Sequence, residues 1–436
     1  MALALMSSVF AVPADARGGP PSHAAAAGNH EVWMLDQGTD VIHVHESRRL
    51  REVAAIDVSP AALRDAGFAD APTGPRTVPH MIEFDSKGRY AFVASTGGAV
   101  TIVIDARHKQ VVEVLATGAG SHMAAVTPDD SAVWVAAIGA QEMVEIPLDL
   151  DARRPTFAID RRLPVGELLA QTEKDEDWEF PSYSPVCHQF SPDSKEAWVT
   201  LGPGWNQGGL FVLDLASGTV SDAWDPAEVN ANCGASVTED RVVANWSGKV
   251  VPGEDTNGEW YVFDRATKEH LQTRDTEGLD AHGVRLTPDG SSYWMVNRLS
   301  SNAIVVAADS LEVTHRFADV ADTPDILDFS PDGSLVYITQ RGPDPRSGAV
   351  HAASGDEPGV AVVDATTGER SAFIAPPTVK DTDGVVRNDI HGIGVRTTTP
   401  GEQGQARAEQ VRRPSVVPAR FGSADPGAHC SLPAST

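Results

Sequence analysis

The chain has 436 residues, of which 34 are Lys or Arg and 61 are Asp or Glu, so its net charge is −27 at pH 7. A surface that binds nucleic acid needs concentrated positive charge, and this balance therefore excludes nucleic acid as a partner. Hydrophobic residues make up 41% of the chain, enough for a large buried core. No apolar run beyond the first residues approaches the ~20 residues that span a bilayer, which predicts no transmembrane segment.

The N-terminal residues are typical of an export signal. Residues 2–12 are small and apolar, and Ala14-Asp15-Ala16 matches the small-residue pattern of a cleavage site, although no basic stretch precedes them. We therefore expect residues 1–29 to be a signal peptide or disordered leader. The protein is then expected to be secreted, periplasmic or attached to the cell surface.

Turns of the Pro-Asp-Gly type recur through the remainder of the chain. They occupy residues 85–88, 127–130, 191–194, 237–240, 287–290 and 330–333. Each turn ends one short strand and begins an aromatic or β-branched one such as AVWVAAI, because Pro presets φ and Asp or Gly tolerates the turn. A third apolar strand and a more polar fourth strand follow. The repeat predicts six complete four-stranded units.

The two ends of the repeat region complement each other. Residues 31–56 supply a second, third and fourth strand without a first, and residues 389–396 supply a first strand with nothing after it. Joining them makes a seventh unit that closes a ring and leaves no open edge. The sequence therefore predicts an all-β, seven-bladed propeller over residues 30–396. Residues 397–436 are predicted to be a disordered tail. A β-sandwich would explain neither the period nor the complementary ends.

Histidines recur at one position of the repeat, at the start of the first strand of each unit. First strands of a propeller line the central channel, so residues at an equal distance from the turn form a ring. His188 lies two residues further along its strand, about 7 Å at ~3.3 Å per residue. Asn232 and Asp325 take the position in the two remaining units. The predicted axial ring contains His80, His122, His188, His282 and His391.

Imidazole nitrogens that converge in a confined site suit Cu, Zn, Fe or Ni. Three or four of them around an open position would form a redox or Lewis-acid centre. Asp280 and Asp389 each precede a ring histidine by two residues, and we expect them to orient the imidazoles. The alternative is structural, with each histidine capping its strand through a hydrogen bond to the backbone or to water.

Loops between second and third strands open on the same face as the ring. They carry Trp205, Trp246, Arg298 and Arg341, which we expect to contact a ligand. The arginines could bind an anionic small-molecule substrate at the channel mouth or form salt bridges across blades. Longer insertions at residues 163–185 and 342–359 are typical of a lid or of a surface for a protein partner.

The strand pattern, with residues 330–339 (SPDGSLVYIT) as its clearest example, resembles the YVTN-type propellers of exported bacterial proteins. The resemblance covers residues 30–396. It implies the seven-bladed fold and leaves the function open, because this architecture carries many unrelated sites.

The leading hypothesis is an exported metalloprotein with histidine-bound copper that can carry redox chemistry. The ring is similar to that of nitrous oxide reductase, but the paired His-His motif and the second copper domain of that family are absent. A haem-d1-type tetrapyrrole site is an alternative, although the chain has no Cys-x-x-Cys-His motif. A lactonase-like hydrolase, whose usual Arg-His pairing is missing, and a non-catalytic surface scaffold are the others.

Overall fold

Seven four-stranded antiparallel sheets form the fold, and they confirm the predicted seven-bladed propeller. The computed structural model describes residues 29–172 and 179–399. The predicted leader and nearly all of the predicted tail lie outside the described residues. Within the described part of the chain, no helix is long and apolar enough to cross a membrane.

The elements follow the repeat in chain order. Blade 7 receives β1 (His30–Asp36), β2 (Val41–Glu46) and β3 (Arg51–Asp57), and α1 (Pro60–Asp65) follows. Blade 1 contains β4 (Pro79–Phe84), β5 (Tyr90–Ser95), β6 (Val100–Asp105) and β7 (Gln110–Leu115). Blade 2 contains β8 (Ser121–Val126), β9 (Ala132–Ala137), β10 (Glu142–Pro147) and β11 (Arg161–Pro164), and α2 (Val165–Ala170) follows. Blade 3 contains β12 (Ser184–Phe190), β13 (Glu196–Gly202), β14 (Leu210–Asp214) and β15 (Thr219–Trp224).

The remaining blades complete the ring. Blade 4 contains β16 (Ala235–Val237), β17 (Arg241–Trp246), β18 (Asn257–Asp264) and β19 (His270–Leu279). Blade 5 contains β20 (Ala281–Leu286), β21 (Ser292–Asn297), β22 (Asn302–Ala307) and β23 (Val313–Phe317). Blade 6 contains β24 (Pro324–Phe329), β25 (Leu335–Gln340), β26 (Gly359–Asp364) and β27 (Arg370–Ile374), with α3 (Val350–Ala353) between β25 and β26. The last strand, β28 (Ile390–Thr397), is the inner strand of blade 7.

Ring closure occurs between the chain ends, as predicted. β28 pairs with β1 from His30↔Thr397 to Asp36↔Ile390. The carboxylate of Asp36 accepts hydrogen bonds from the Asn388 side chain (2.7 Å) and from the backbone N–H of Asp389 (2.9 Å). These bonds fix the point at which the chain enters its last strand.

Five of the six predicted turns have one shared conformation, and the turn at residues 237–240 differs. At Gly88, Gly290 and Gly333 the backbone N–H bonds the carbonyl three residues earlier at 2.8 Å, and φ lies between 60° and 72°. This left-handed position costs glycine nothing, and Asp and Ser tolerate it in the equivalent turns. The recurring tight turn explains why short apolar strands alternate along the chain.

The core lies between the blades and is built around one aromatic side chain of the second strand. In six blades this position is fully or almost fully buried. The residues are Trp33, Phe92, Trp134, Trp198, Trp294 and Tyr337. Truncating such a side chain typically costs about 3–5 kcal/mol, so these layers hold the inner strands firmly in place.

Candidate functional site

Four inner strands, β4, β8, β20 and β28, are irregular at the position that predicts the ring. The β4–β5 pairing skips from Pro79↔Ser95 to Met81↔Ala94, which leaves His80 on a β-bulge. His122 lies on the equivalent bulge of β8. The β20 and β28 bulges likewise contain His282 and His391. Bulges re-aim side chains, and here they turn these four imidazoles out of the regular ladder.

The glycine that follows two of these histidines allows neighbouring inner strands to approach closely. A Cβ atom on Gly392 would lie 2.2 Å from the backbone oxygen of His80, and one on Gly283 would lie 2.7 Å from that of Asp325. Real side chains do not approach so closely. The His-Gly dipeptides therefore place His391 beside His80 and His282 beside Asp325.

Four of the five predicted imidazoles come together. Ring centroids are 4.0 Å apart for His80 and His122, 4.0 Å for His80 and His391, and 5.7 Å for His282 and His391. The rings come from blade 2 (His122), blade 1 (His80), blade 7 (His391) and blade 5 (His282). Asp325 of blade 6 lies between the last two. We call these four imidazoles the axial cluster. As the side chains are placed, no three or more His, Cys, Asp or Glu groups of the described residues surround a common point as a metal ion requires.

His188 does not join the axial cluster. It is fully buried, its Nε2 is 3.1 Å from the carbonyl of Trp134, and its ring contacts Phe190. In β12 the bulge falls between Pro185 and His188, so His188 itself pairs regularly with Val199. The prediction that placed it just inside the ring is corrected for this reason.

Asp325 is the centre of the hydrogen-bonding network around the cluster. Its Oδ1 lies 2.7 Å from His282 Nδ1, and its Oδ2 contacts His391 Nδ1. Arg341 also donates to Oδ2 (2.9 Å), and Arg298 to Oδ1 (3.3 Å). Burial alone would raise the pKa of this carboxyl, but the His391, His282 and Arg341 partners outweigh burial and hold the pKa well below its usual value. Asp325 is therefore ionised and can only accept hydrogen bonds.

The arginines of the loop are bound by carboxylates. Arg341 forms a two-pronged pair with Asp389 at 2.7 and 2.9 Å, and Arg298 forms one with Asp280 at 2.7 and 3.0 Å. This corrects the expectation that Asp280 and Asp389 orient the imidazoles directly. Of the two roles predicted for the arginines, the structure shows the salt bridges across blades.

The hydrogen-bond partners assign a proton to one nitrogen of each imidazole. Asp325 is ionised and only accepts, and it lies nearer to His391 Nδ1 than Nη1 of Arg341 does (3.3 Å), so Nδ1 of His282 and of His391 carries the proton. His122 is hydrogen-bonded to the backbone of Val186, and its Nδ1 has no partner. A carbonyl only accepts, so the proton of His122 is on Nε2. The bare nitrogens are then Nδ1 of His122 and Nε2 of His282 and His391.

The buried imidazoles are neutral at physiological pH. Burial, together with the neighbouring imidazoles, lowers the pKa of His122 to about 3. Burial lowers the pKa of His391 to about 4, although Asp325 opposes the shift. The pKa of His80 is held well below its usual value by burial, by His391 and His122, and by Arg341. Neutral imidazoles are the form in which histidine binds metals.

Gln37 belongs to the site and was missed by the sequence analysis. It follows the second strand of blade 7, as Arg298 and Arg341 follow the second strands of blades 5 and 6. Its side-chain Nε2 lies 2.5 Å from His80 Nδ1. The shared position in the repeat was the signal that could have identified it.

The other predicted contact residues form hydrogen bonds with partners outside the cluster. Asn232 hydrogen-bonds Ser247. The Trp246 indole donates to the carbonyl of Trp205 at 2.6 Å. Trp246 also lines a polar cleft of about 460 Å³ in blade 4 with Glu259 and Asp275. None of the cluster's side chains lines this cleft.

Comparison with known proteins supports the fold. No protein-family model matches the chain, so the YVTN-type resemblance is not confirmed at the level of the family. No curated protein matches it in sequence. Among solved structures, it is similar to Kuenenia stuttgartiensis hydrazine synthase, with a TM-score of 0.54 and 13% identity over 76% of this chain and 90% of that chain. It is also similar to the dihydro-heme d1 dehydrogenase NirN in complex with DHE, with a TM-score of 0.48 and 15% identity over 88% of this chain and 77% of that chain.

Proposed function

We propose that the axial cluster binds one transition-metal ion, with copper as the preferred metal. The observation that supports this is the proton pattern: three imidazoles each donate one N–H to Asp325 or to a backbone carbonyl and keep the other nitrogen bare. Histidine ligands of metals have this arrangement, because the second-shell acceptor fixes the tautomer and raises the basicity of the ligating nitrogen. The proposed ligand atoms are His122 Nδ1, His282 Nε2 and His391 Nε2.

Burial adds to this argument. His122 Nδ1 and His391 Nε2 are buried and have no hydrogen-bond partner. A buried polar atom without a partner costs free energy of about 1–3 kcal/mol, which a bound cation would recover. Metal–nitrogen bonds of about 2.0–2.1 Å require nitrogens roughly 3–4 Å apart. The ring centroids of His282 and His391 are 5.7 Å apart, and the ring of His80 contacts those of both His122 and His391 at 4.0 Å, so the three proposed ligands would have to rotate towards one another to hold one ion.

The preference for copper rests on the donor atoms, which are imidazole nitrogens. Among divalent first-row metals, nitrogen sites bind Cu²⁺ most strongly. Bound copper would supply one-electron redox or Lewis-acid chemistry at the channel mouth. The residues of this chain hold the imidazoles of His122 and His391 neutral, fix their tautomers and neutralise the buried arginines. A tetrapyrrole is the second candidate: imidazoles with centroids 4.0 Å apart leave no slot for a macrocycle between them, so it would lie on the open face of the cluster with one histidine as its ligand.

The test is metal analysis of protein purified without chelator, followed by titration of the chelator-treated protein with Cu²⁺. We expect one copper per chain, and at least about a hundredfold weaker binding in His391→Ala and His282→Ala. His315→Ala is the matched control, because His315 is exposed on outer strand β23. Equal losses in His391→Ala and His315→Ala would contradict the proposal. A Soret band without copper would favour a tetrapyrrole, and neither signal would favour the lactonase or scaffold hypothesis.

We also infer that the protein is exported, on the basis of its apolar first residues and the Ala14-Asp15-Ala16 pattern. Fractionation of expressing cells and N-terminal sequencing of the mature chain test this. Retention of residues 1–16 in a cytoplasmic protein would contradict it.

A further inference from the structure

We propose that three arginines beside the axial cluster bind an oxyanion group, a phosphate or a carboxylate, of a small molecule. They are Arg76, Arg346 and Arg387, and we call them the arginine cluster. None of them belongs to the proposed metal site, and the binding of an oxyanion here requires no metal.

Three loops at one end of the propeller carry these arginines. Arg76 lies between β3 and β4, Arg346 between β25 and β26, and Arg387 between β27 and β28. In an antiparallel blade, the loop from the second to the third strand and the loop to the next blade lie at the same end. Arg76 donates to the carbonyl of Gln37 at 2.8 Å, and a Cβ on Gly38 would lie 1.5 Å from the carbonyl oxygen of Arg387. These contacts hold two of the loops against the end of β1.

The loop of Arg346 is fixed to the same region. Its backbone N–H donates at 2.7 Å to Asp389, the carboxylate that also pairs with Arg341. Its Nη2 lies 3.1 Å from Oδ2 of Asp344, and Nη1 of Arg387 lies 2.6 Å from the same oxygen. Because one carboxylate oxygen lies between them, the guanidinium groups of Arg346 and Arg387 are neighbours.

Arg346 has hydrogen-bond donors that its surroundings do not satisfy. A guanidinium carries five N–H donors. Within the part of the chain that the structure describes, the contact with Asp344 is the one ion pair of this side chain, and its Nε is buried without a partner. A buried donor without an acceptor is unfavourable. The side chain is also 24% exposed, so a small ligand can reach its other nitrogens. An oxyanion would supply the acceptors that the described residues do not.

The charge around Arg346 supports the same conclusion. Burial lowers the pKa of Arg346, and the positive charges of Arg76 and Arg387 add to the shift, although nearby carboxylates oppose it. The pKa of Arg341 is by contrast raised, because its carboxylate partners outweigh burial. The described carboxylates therefore compensate the charge of Arg346 only in part, and a bound anion would complete the compensation.

The shape of the guanidinium group indicates the class of ligand. Its planar fork matches the paired oxygens of a carboxylate or a phosphate. Asp344 shows that the cluster accommodates such a group, since its carboxylate lies between two of the guanidinium groups. Arg298 and Arg341, which were predicted to bind an anionic substrate, have carboxylate partners of their own. The arginine cluster takes that role instead.

Calorimetric titration of the metal-free full chain with inorganic phosphate, and separately with acetate, tests the proposal at an ionic strength held constant with chloride. Arg346→Gln should weaken the binding of the oxyanion about tenfold, because it removes charged donors and leaves the backbone bond to Asp389 in place. The matched control is Arg370→Gln, which removes an exposed arginine that pairs with Glu357 on the outside of blade 6. It should match the native protein.

Asp344→Asn should act in the opposite direction. Its carboxylate competes with the ligand, so removing this charge should strengthen the binding of phosphate or acetate several-fold. If the arginines only tie loops together, Asp344→Asn lowers the midpoint of thermal unfolding and leaves anion binding unchanged, which would overturn the proposal. So would the absence of binding of both anions to the native chain, or equal affinities in Arg346→Gln and Arg370→Gln. Tighter binding of phosphate than of acetate would assign a phosphate group to the ligand, and the reverse would assign a carboxylate. No copper enters these titrations, so their failure leaves the proposed metal site untouched.

Discussion

Replacing Asp325 by Asn should destabilise the fold and remove metal binding together. The carboxylate accepts from four groups, with His282 and Arg298 on Oδ1 and His391 and Arg341 on Oδ2. Asn has the same shape, but its side chain carries an NH₂ donor in place of one acceptor oxygen. The two hydrogen bonds to that atom are therefore lost, and their N–H donors face the new NH₂ group. Both arginines remain buried with less negative charge around them.

The size of the effect follows from these contacts. Hydrogen bonds to charged groups are worth about 1.5–3 kcal/mol each, and breaking a buried ion pair typically costs about 3–5 kcal/mol. We expect the free energy of unfolding to fall by about 3–5 kcal/mol. The same substitution leaves Nδ1 of His282 or His391 without a fixed acceptor, so the bare nitrogens lose their orientation and copper binding weakens.

Urea denaturation at pH 7, followed by tryptophan fluorescence, measures the change. Asp309→Asn is the matched control, because Asp309 is exposed and the substitution should alter the free energy by less than about 0.5 kcal/mol. A loss below about 1 kcal/mol in Asp325→Asn would refute the view that this carboxylate holds the network together.

Three further predictions concern the same network. The metal-free protein should lose stability as the pH falls from about 6.5 to about 4, because His391 and His122 have lowered pKa values when folded and the unfolded chain therefore binds more protons in this range. Each such histidine contributes up to about 1.4 kcal/mol per pH unit, and a urea midpoint equal at pH 7 and pH 5 would contradict the burial of neutral imidazoles. Gly392→Ala should lower the free energy of unfolding by about 1–3 kcal/mol and weaken copper binding, since its Cβ would lie 2.2 Å from the His80 carbonyl oxygen. The control Gly74→Ala meets nothing within 4 Å and should match the native protein in thermal unfolding. Arg341→Lys should lower stability, because a lysine cannot reproduce the two-pronged pair with Asp389; unchanged stability in urea denaturation would contradict that role.

The fold could be read from the sequence because its signals are local and repeated. The turns and apolar strands recur with a regular period, and residues 31–56 and 389–396 each lack what the other supplies. The positions of His80, His122 and His282 followed from the same counting, and that of His391 from the likeness of residues 389–393 to residues 280–284. The predicted position of His188 was wrong because a β-bulge shifts the strand register just before this residue. The length of a bulge depends on strand pairing, which the sequence does not display.

The partners of the imidazoles could not be read in the same way. Asp280 and Asp389 stand two residues from ring histidines, yet their side chains pair with Arg298 and Arg341 of neighbouring strand ends. The role of orienting carboxylate falls to Asp325, which lies in another blade. Gln37 is separated from His80 by 43 residues. Such contacts are decided by how blades pack, and only the assembled ring brings them together.

An anomalous difference map at the copper absorption edge, from crystals of the copper-loaded protein, tests the central claim most directly. The account predicts one peak on the axis, about 2.0–2.1 Å from His122 Nδ1, His282 Nε2 and His391 Nε2. A peak bonded to none of these atoms, or no peak in crystals that bind copper elsewhere, would contradict it.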